Sequence, residues 1–159
     1  MSKPSAESVV VKHAANEDDI THINDFFNSK DIKQELHRFT YRTTLERAFN
    51  RDDRRLFYVE DSGTLVGALM VWCESRVLDD DEAQIRLVAV SPDRREKGIA
   101  ARLCEKAEAF ASDHEQERIT ADVARNSSAV EFWTSIGYDV EYEWQTDGGR
   151  EMYRMMRTL

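Results

Sequence analysis

The spacing of hydrophobic residues changes several times along the chain, and each change predicts a boundary between secondary-structure elements. Short apolar runs predict strands, whereas apolar residues three or four positions apart predict helices. Strands are predicted at 8–14, 56–60, 65–74, 83–90, 119–123, 139–144 and 151–157. Helices are predicted from the N-cap Asn16 onward, over about 32–50 with a break allowed at 39–44, over 98–111, and over 127–136.

The connections between these elements predict how the strands pair. Residues 61–64 (Asp-Ser-Gly-Thr) and 146–149 (Thr-Asp-Gly-Gly) are turn sequences, and each joins two strands into a hairpin. Residues 84–123 follow the order strand–helix–strand, which is long enough for a right-handed parallel crossover. The element order therefore predicts an α/β (α+β) fold, with a mixed, mostly antiparallel sheet of six to seven strands and helices on both faces.

The composition is that of a soluble globular protein, with 41% hydrophobic and 33% charged residues among 159. This length fits a single domain over residues 1–159. Apolar runs are shorter than the roughly 20 residues of a membrane helix, and the N-terminus lacks a secretory signal, so a cytoplasmic location without a membrane partner is expected. The net charge of −9 argues against nucleic-acid binding and permits a cationic amine substrate.

Cysteines and histidines limit the other kinds of chemistry. Cys73 and Cys104 lie in apolar segments, and we expect two buried free thiols, with a disulfide as the alternative. The four histidines are scattered, and none is spaced from a cysteine or carboxylate as metal ligands are. We therefore expect no metal site.

The stretch SPDRREKGIAARL, residues 91–103, is a candidate anion site where a strand is predicted to lead into a helix. A helix start presents backbone N–H groups without partners, together with the positive end of the helix dipole. Gly98 would let an anion approach that backbone, and Arg94, Arg95 and Lys97 add positive charge. A plain turn is the alternative, since a lone glycine matches neither the P-loop nor the dinucleotide motif.

A second stretch, NSSAVEFWTSIGY at residues 126–138, changes the interpretation of the first. It matches Asn-x-x-Ala-x-x-φ-Tyr-x-x-x-Gly-Phe/Tyr, where φ is apolar, except that Trp133 stands in place of the tyrosine. Val88 to Val90 followed by Arg95 to Ala100 matches a strand and then Arg/Gln-x-x-Gly-x-Gly/Ala. Together, and in this order, the two stretches resemble the motifs of the GNAT superfamily of N-acetyltransferases, and the resemblance covers nearly the whole chain.

The resemblance implies that the sheet is splayed between the parallel strands 84–90 and 119–123, with acetyl-CoA bound in the gap as co-substrate. The pantetheine arm would follow the first of these strands, and the pyrophosphate would lie on the amides that start the next helix. The implied acetyl-CoA contacts are Val88, Ala89, Val90, Arg94, Arg95, Glu96, Lys97, Gly98, Ile99, Ala100, Ala101, Asn126 and Phe132. For Phe132, packing in the core is the alternative role.

The resemblance also implies direct attack by an amine on the thioester, with the oxyanion held by a backbone N–H near Val88, where the strand usually bulges in this family. Asp122 is the first candidate for the base, followed by Glu82 and Glu74. A solvated charge at a strand end is the alternative for each of these carboxylates. Cysteine nucleophiles are not expected.

Trp133 leaves the proton donor to the departing thiolate open, because an indole N–H cannot usefully supply a proton. Another hydroxyl could serve, with Tyr138, Tyr142 or Tyr41 as candidates. The thiolate could instead leave unprotonated or take a proton from water, which we favour. A third alternative is that the protein binds acetyl-CoA without efficient turnover.

Residues for the amine acceptor are expected in the segment between the first two helices (about 28–44), at the end of strand 65–74 and in the terminal hairpin. Tyr41, Trp72, Glu74 and Trp144 are the candidates, because aromatic rings beside acids suit a cationic amine. The predicted function is acetyl-CoA-dependent transfer to a primary amine of a small molecule or peptide. The alternatives are a non-catalytic acyl-CoA sensor or partner-binding domain, and a nucleotide-binding regulatory domain. Homodimer formation through the hairpin edge is a further expectation.

Overall fold

The computed structural model describes residues 9–95 and 98–159, so Ser8, Glu96 and Lys97 lie outside the described residues. The strands are β1 (Lys12–His13), β2 (Arg54–Asp61), β3 (Thr64–Trp72), β4 (Glu82–Val90), β5 (Arg118–Ala124), β6 (Asp139–Gln145) and β7 (Glu151–Thr158). The helices are α1 (Glu17–Phe27), α2 (Lys30–Leu36), α3 (Arg42–Asn50), α4 (Ile99–Asp113) and α5 (Ala129–Ser135).

Within the described ranges the strands form one seven-stranded sheet in the order β1-β2-β3-β4-β5-β7-β6. The β4–β5 pair is parallel and the other neighbouring pairs are antiparallel. Helices α1, α2 and α3 pack with one hydrophobic cluster on one face, and α4 and α5 pack with a second cluster on the other. The predicted mixed, mostly antiparallel sheet with helices on both faces is confirmed.

Two predicted strands are shorter in the structure. The strand predicted at 8–14 is reduced to β1, whose two residues pair with Phe57 and Tyr58 of β2. The strand predicted at 65–74 ends at Trp72, so Glu74 lies beyond it. Both differences lie at the ends of elements, where spacing alone defines a boundary least well.

The helix predicted over 32–50 is two helices, α2 and α3, divided inside the segment where a break was allowed. His37 ends α2 in the left-handed region, with φ of 55°. The Asn28 side chain then holds the connecting segment, since it donates to the Thr40 carbonyl (2.8 Å) and accepts from the Thr40 amide (2.7 Å). These bonds replace helical ones and fix the path of the α2–α3 loop over the sheet.

Helix α4 begins close to the end of β4 because Gly67 lets it approach the sheet. Gly67 lies in β3, opposite Val90 of β4. A Cβ atom on Gly67 would be 2.9 Å from Cγ2 of Ile99 and 3.3 Å from Cδ1 of Leu103. The absent side chain therefore determines where the first turn of α4 sits.

The parallel strands separate partway along their length. Their pairing runs from Glu82 opposite Arg118 to Ile85 opposite Ala121 and then stops. Beyond that pair β4 follows β3 as far as Val90, and β5 follows β7 as far as Ala124. This opening, called the splay below, confirms the predicted separation of the two strands.

The side chains of both cysteines lie in the hydrophobic core. Cys73 and Cys104 are buried free thiols, as expected. Burial raises the pKa of Cys73 to about 12 and raises that of Cys104 as well.

In the described part of the chain no helix has the length and apolar character to cross a bilayer, and no three His, Cys, Asp or Glu side chains are grouped as metal ligands.

The terminal hairpin forms one edge of the sheet. Its strand β6 pairs with β7 on one side, and Val140 and Tyr142 are exposed on it. Association of two copies through this edge stays a prediction.

Candidate active site

The backbone of β4 turns hydrogen-bonding groups toward the splay. The Ser91 amide donates to the Val66 carbonyl of β3 (2.8 Å). Because an antiparallel strand alternates its hydrogen-bonding direction, Ala89 and Leu87 also face β3, and Val88 and Val90 face the splay. The Val90 carbonyl accordingly accepts a hydrogen bond from Arg95 Nε at 3.4 Å rather than from a strand. Val88 and Val90 thus have the orientation needed to pair with an extended ligand.

The start of α4 has the features of a diphosphate site. Gly98 is its N-cap, with φ of 77°, a left-handed conformation that favours glycine. The first intrahelical bond runs from the Arg102 amide to the Gly98 carbonyl (3.0 Å), so the amides of residues 99–101 precede the helical ladder. The first turn carries no acidic residue. Backbone donors and the helix dipole therefore suit an anion at this point.

The arginines beside this helix start are paired with acids of the chain. Arg94 Nε lies 3.0 Å from a carboxylate oxygen of Asp61, the last residue of β2. Arg95 forms an ion pair with Glu35 of α2. Their guanidinium groups must exchange these exposed partners to reach a phosphate, so the backbone amides are the better-prepared donors. Of the same predicted set, Glu96 and Lys97 lie outside the described residues.

The second sequence motif lies on the other side of the splay. Asn126 is exposed in the loop between β5 and α5. Phe132 is half-buried, and its ring meets that of Trp133 edge-on at 5.3 Å. Trp133 is buried and packs at 4.8 Å against Tyr138. Trp133 therefore belongs to the core between α5 and the sheet, and the position where the family often has its tyrosine presents no hydroxyl.

Two of the predicted carboxylates meet at the splay through one arginine. Arg154 of β7 donates from Nε and Nη2 to both oxygens of Asp122, the second at 3.2 Å. Its Nη1 donates to Oε2 of Glu82 at 3.1 Å. The indole of Trp144 also donates to Asp122 Oδ1, at 3.2 Å. Strand pairing thus brings three predicted site residues together.

Glu82 and Asp122 differ in how accessible they are. Glu82 is 2% exposed, and its oxygens also accept from the Thr120 hydroxyl (2.6 Å) and the Asp79 amide (3.0 Å). The Asp122 side chain is 22% exposed and is the first β5 residue beyond the last parallel pair. Of the two, Asp122 is the carboxylate that a substrate amine could reach.

Tyr138 is not part of this group. It is fully buried, and its hydroxyl donates to Oε2 of Glu108 at 2.8 Å on the α4 side of the sheet. Burial, reinforced by the nearby Glu108 carboxylate, raises the pKa of Tyr138 and makes it a weaker acid. Tyr142 lies beside the group, since it pairs with Arg154 across the hairpin and its ring centroid is 5.4 Å from the Arg154 guanidinium.

The remaining acceptor candidates lie apart from Trp144. Tyr41 is exposed in the α2–α3 loop and packs edge-on against Phe39. Trp72 is half-buried, and two guanidinium groups stack on its ring, those of Arg54 at 3.7 Å and Arg86 at 4.5 Å. Glu74 is exposed beyond the end of β3. At Trp72 the structure therefore places the chain's own guanidinium groups where a cationic amine was expected to stack.

Sequence reasoning missed two arginines of this site, Arg154 and Arg86. A signal for Arg154 was present, because Met152, Arg154 and Met156 alternate on one face of β7, and an arginine between two such residues indicates a partly buried cation. Arg86 gave no comparable signal. Its position depends on an irregularity in the β3–β4 pairing that the spacing of residues does not reveal.

These features define a class of protein: a parallel strand pair that opens beside a helix N-terminus, as in coenzyme-A-dependent acyltransferases. A family model described as the acetyltransferase (GNAT) family matches residues 19–138. The chain belongs to the GNAT acetyltransferase family, and it is an N-acetyltransferase with acetyl-CoA as co-substrate. A search of curated protein sequences found no match.

Solved structures support the fold at low sequence identity. An aminoglycoside 6′-N-acetyltransferase complexed with coenzyme A is 14% identical, with a TM-score of 0.75 over 94% of this chain and 96% of that one. Ard1 from Thermoplasma volcanium is 17% identical, with a TM-score of 0.73 over 95% and 97%. The ribosomal-protein-S18-alanine N-acetyltransferase from Escherichia coli is 16% identical, with a TM-score of 0.70 over 94% and 93%.

Proposed function

We propose that the protein transfers the acetyl group of acetyl-CoA to a primary amine of a small molecule or peptide, by direct attack in a ternary complex. The observation that carries this proposal is the splay, where the backbone of Val88 and Val90, the amides of α4 and the Asp122 carboxylate border one opening. Similar structures are named for an aminoglycoside and for the alanine of a ribosomal protein, which supports both acceptor types.

The reaction in this proposal needs little from side chains. The amine nitrogen bonds to the thioester carbon, and the Val88 N–H stabilises the oxyanion that forms. The amine proton passes to Asp122, directly or through water. The carbon–sulfur bond then breaks, and the sulfur leaves as a thiolate that takes its proton from water, which is tolerable for a thiol of pKa about 8.5. No hydroxyl is required where Trp133 stands.

Arg154 and Glu82 act in this proposal as positioning residues for Asp122. Arg154 holds both oxygens of Asp122 and is itself held by the buried Glu82. A carboxylate fixed at both oxygens presents its remaining lone pairs in one direction, which orients it toward the amine.

A panel of amines with detection of released thiol tests the function. We expect acetyl-CoA-dependent thiol release with at least one class of amine. Gly98→Glu should weaken acetyl-CoA binding at least about tenfold, because it puts a negative charge and a strained φ at the diphosphate position. Gly149→Glu is the matched control, since Gly149 has a φ of 85° and open space around it. Equal affinity in the two variants would contradict the phosphate site.

Asp122→Asn tests the base. We expect the largest loss of kcat/KM at low pH, where the amine is hardest to deprotonate. The control is Asp139→Asn, the same change at an exposed position on β6. A pH–rate profile that Asp122→Asn leaves unaltered would remove Asp122 as the base.

A non-catalytic acyl-CoA sensor is the second candidate function, and the buried Trp133 favours it. Acetyl-CoA would then raise the melting temperature without thiol release from any amine. A preference for ATP or NAD over CoA in calorimetry would contradict both candidates and favour a nucleotide-binding domain.

A further inference from the structure

Arg86 occupies a special position at the start of the splay. Met70 pairs with Leu87 and Val71 with Ile85, so Arg86 is an extra residue without a partner on β3. It is also the first β4 residue beyond the last parallel pair with β5. Such a bulge redirects a side chain and is common beside active sites. Here it sets Arg86 across the opening from Asp122, the first β5 residue that has no partner on β4.

Arg86 makes few contacts for a half-buried cation. It donates to the Gln84 side chain and stacks on Trp72 at 4.5 Å. Among the described residues, no carboxylate oxygen lies within ion-pair distance of it. Burial lowers the pKa of the Arg86 guanidinium, and the positive charges of Arg38 and Arg154 lower it further, against the opposing effects of Asp122 and Glu82. Its neighbours therefore do not fully compensate its charge.

Around the start of the splay, the three positive charges of Arg154, Arg86 and Arg38 exceed the two negative charges of Asp122 and Glu82. Asp122 and Glu82 both form ion pairs with Arg154. Arg86 and Arg38 remain without an ion-pair partner in the described ranges, although the chain as a whole carries a net charge of −9. An incompletely paired guanidinium at a binding site can donate two parallel hydrogen bonds to a carboxylate.

We propose that the acceptor is an amine that also carries a carboxylate group, and that Arg86 binds this carboxylate while Asp122 faces the amine. This inference rests on the proposed acetyl transfer and names the substrate class for the same site. Neighbouring strands lie about 4.8 Å apart where they pair, so residues flanking the start of the splay can contact both ends of one small zwitterion. Arg38 adds long-range attraction from the α2–α3 loop.

Matched acceptor pairs test the proposal through thiol release. One pair is a set of free amino acids and their α-amides, and the other is dipeptides with aspartate or asparagine at the second position. The first pair tests an α-carboxylate, and the second tests an acidic side chain of a peptide. We expect kcat/KM to favour the carboxylate member of at least one pair by about ten- to hundredfold, the range for a charge-assisted hydrogen bond.

Arg86→Gln should reduce that preference to near unity by lowering kcat/KM for the carboxylate member of the pair. Arg76→Gln is the control, since Arg76 is exposed and the variant removes the same charge. If Arg86→Gln does not fold, Arg38→Gln at the exposed loop position should still reduce the preference severalfold. Equal use of both members of each pair, or a preference that survives Arg86→Gln, overturns the inference and leaves acetyl transfer standing. No thiol release with any amine overturns both.

Discussion

Replacing Gly67 by alanine tests whether the docking of α4 on β3 determines the geometry of the acetyl-CoA site. The new Cβ would lie 2.9 Å from Ile99 Cγ2, 3.3 Å from Leu103 Cδ1 and 3.6 Å from the Ala89 carbonyl oxygen. Carbon atoms pack at about 3.5 Å or more, so the first turn of α4 must move by roughly 0.5 Å. Ile99 and the amides after Gly98 would move with it.

The expected cost combines two opposing effects. Overpacking of this kind costs about 1–3 kcal/mol of unfolding free energy. Loss of glycine flexibility in the unfolded chain offsets about 0.4–1 kcal/mol of that. We therefore expect a net destabilisation of about 1–2 kcal/mol, because Gly67 lies in β3 and has no positive φ to add strain. Displaced amides at the helix start should weaken acetyl-CoA binding about fivefold, equivalent to roughly one hydrogen bond.

Urea denaturation and isothermal titration with acetyl-CoA measure the two effects. Gly148→Ala is the control, since its new Cβ would meet only Thr146 Oγ1 at 3.9 Å, and it should change stability by less than about 0.5 kcal/mol. Ile99→Ala removes the clashing Cγ2 atom. It should therefore lower the free energy of unfolding by at least about 1 kcal/mol less in the Gly67→Ala protein than in the wild type. Additive effects of the two substitutions, or unchanged acetyl-CoA affinity in a destabilised Gly67→Ala protein, would refute the reasoning.

Two further predictions follow from buried titratable groups. Burial raises the pKa of Glu108 above 4.5, so its contribution to stability is greatest below pH 4.5 and is lost as the pH rises through the raised pKa. Glu108→Gln keeps an oxygen acceptor for the Tyr138 hydroxyl. Urea denaturation should show that the free energy of unfolding of this variant, relative to wild type, increases from pH 4.5 to neutral. A difference that stays constant over this range would contradict the prediction. Burial of Cys73 and Cys104 should make thiol labelling at pH 8 slow in the folded protein and complete within the mixing time in urea, and fast labelling of the folded protein would contradict their burial.

Local chemistry predicted most of the elements because their signals are short-range. The turn at Ser62 and Gly63 is an example, since both residues have positive φ values, 54° and 82°, in the two-residue hairpin predicted there. Gly98 is another, because a glycine ahead of an amphipathic stretch marked the start of α4. The α2–α3 break could only be allowed for, since it depends on Asn28 holding Thr40 from twelve residues away.

Only part of the candidate site could be predicted, because short-range signals again gave some residues and the other contacts join residues far apart in sequence. The Asp122 position followed from a strand end, and the structure gives it Arg154 and Trp144 as partners. Those partners lie 22 and 32 residues away in sequence, so only strand register could bring them together. Tyr138 was one of three candidate acids because it is a nearby hydroxyl in sequence, but the sheet buries it on the opposite face.

By itself the sequence determined the kinds of element, the hairpins, the glycine-capped helix start and the family motifs, since each depends on residues within about one turn or one strand of each other. The tertiary structure alone decided where β4 and β5 separate, which carboxylate stays accessible, and that a bulge sets Arg86 across from Asp122. Those properties arise from pairing between distant strands, where a shift of one residue exchanges the two faces of the sheet.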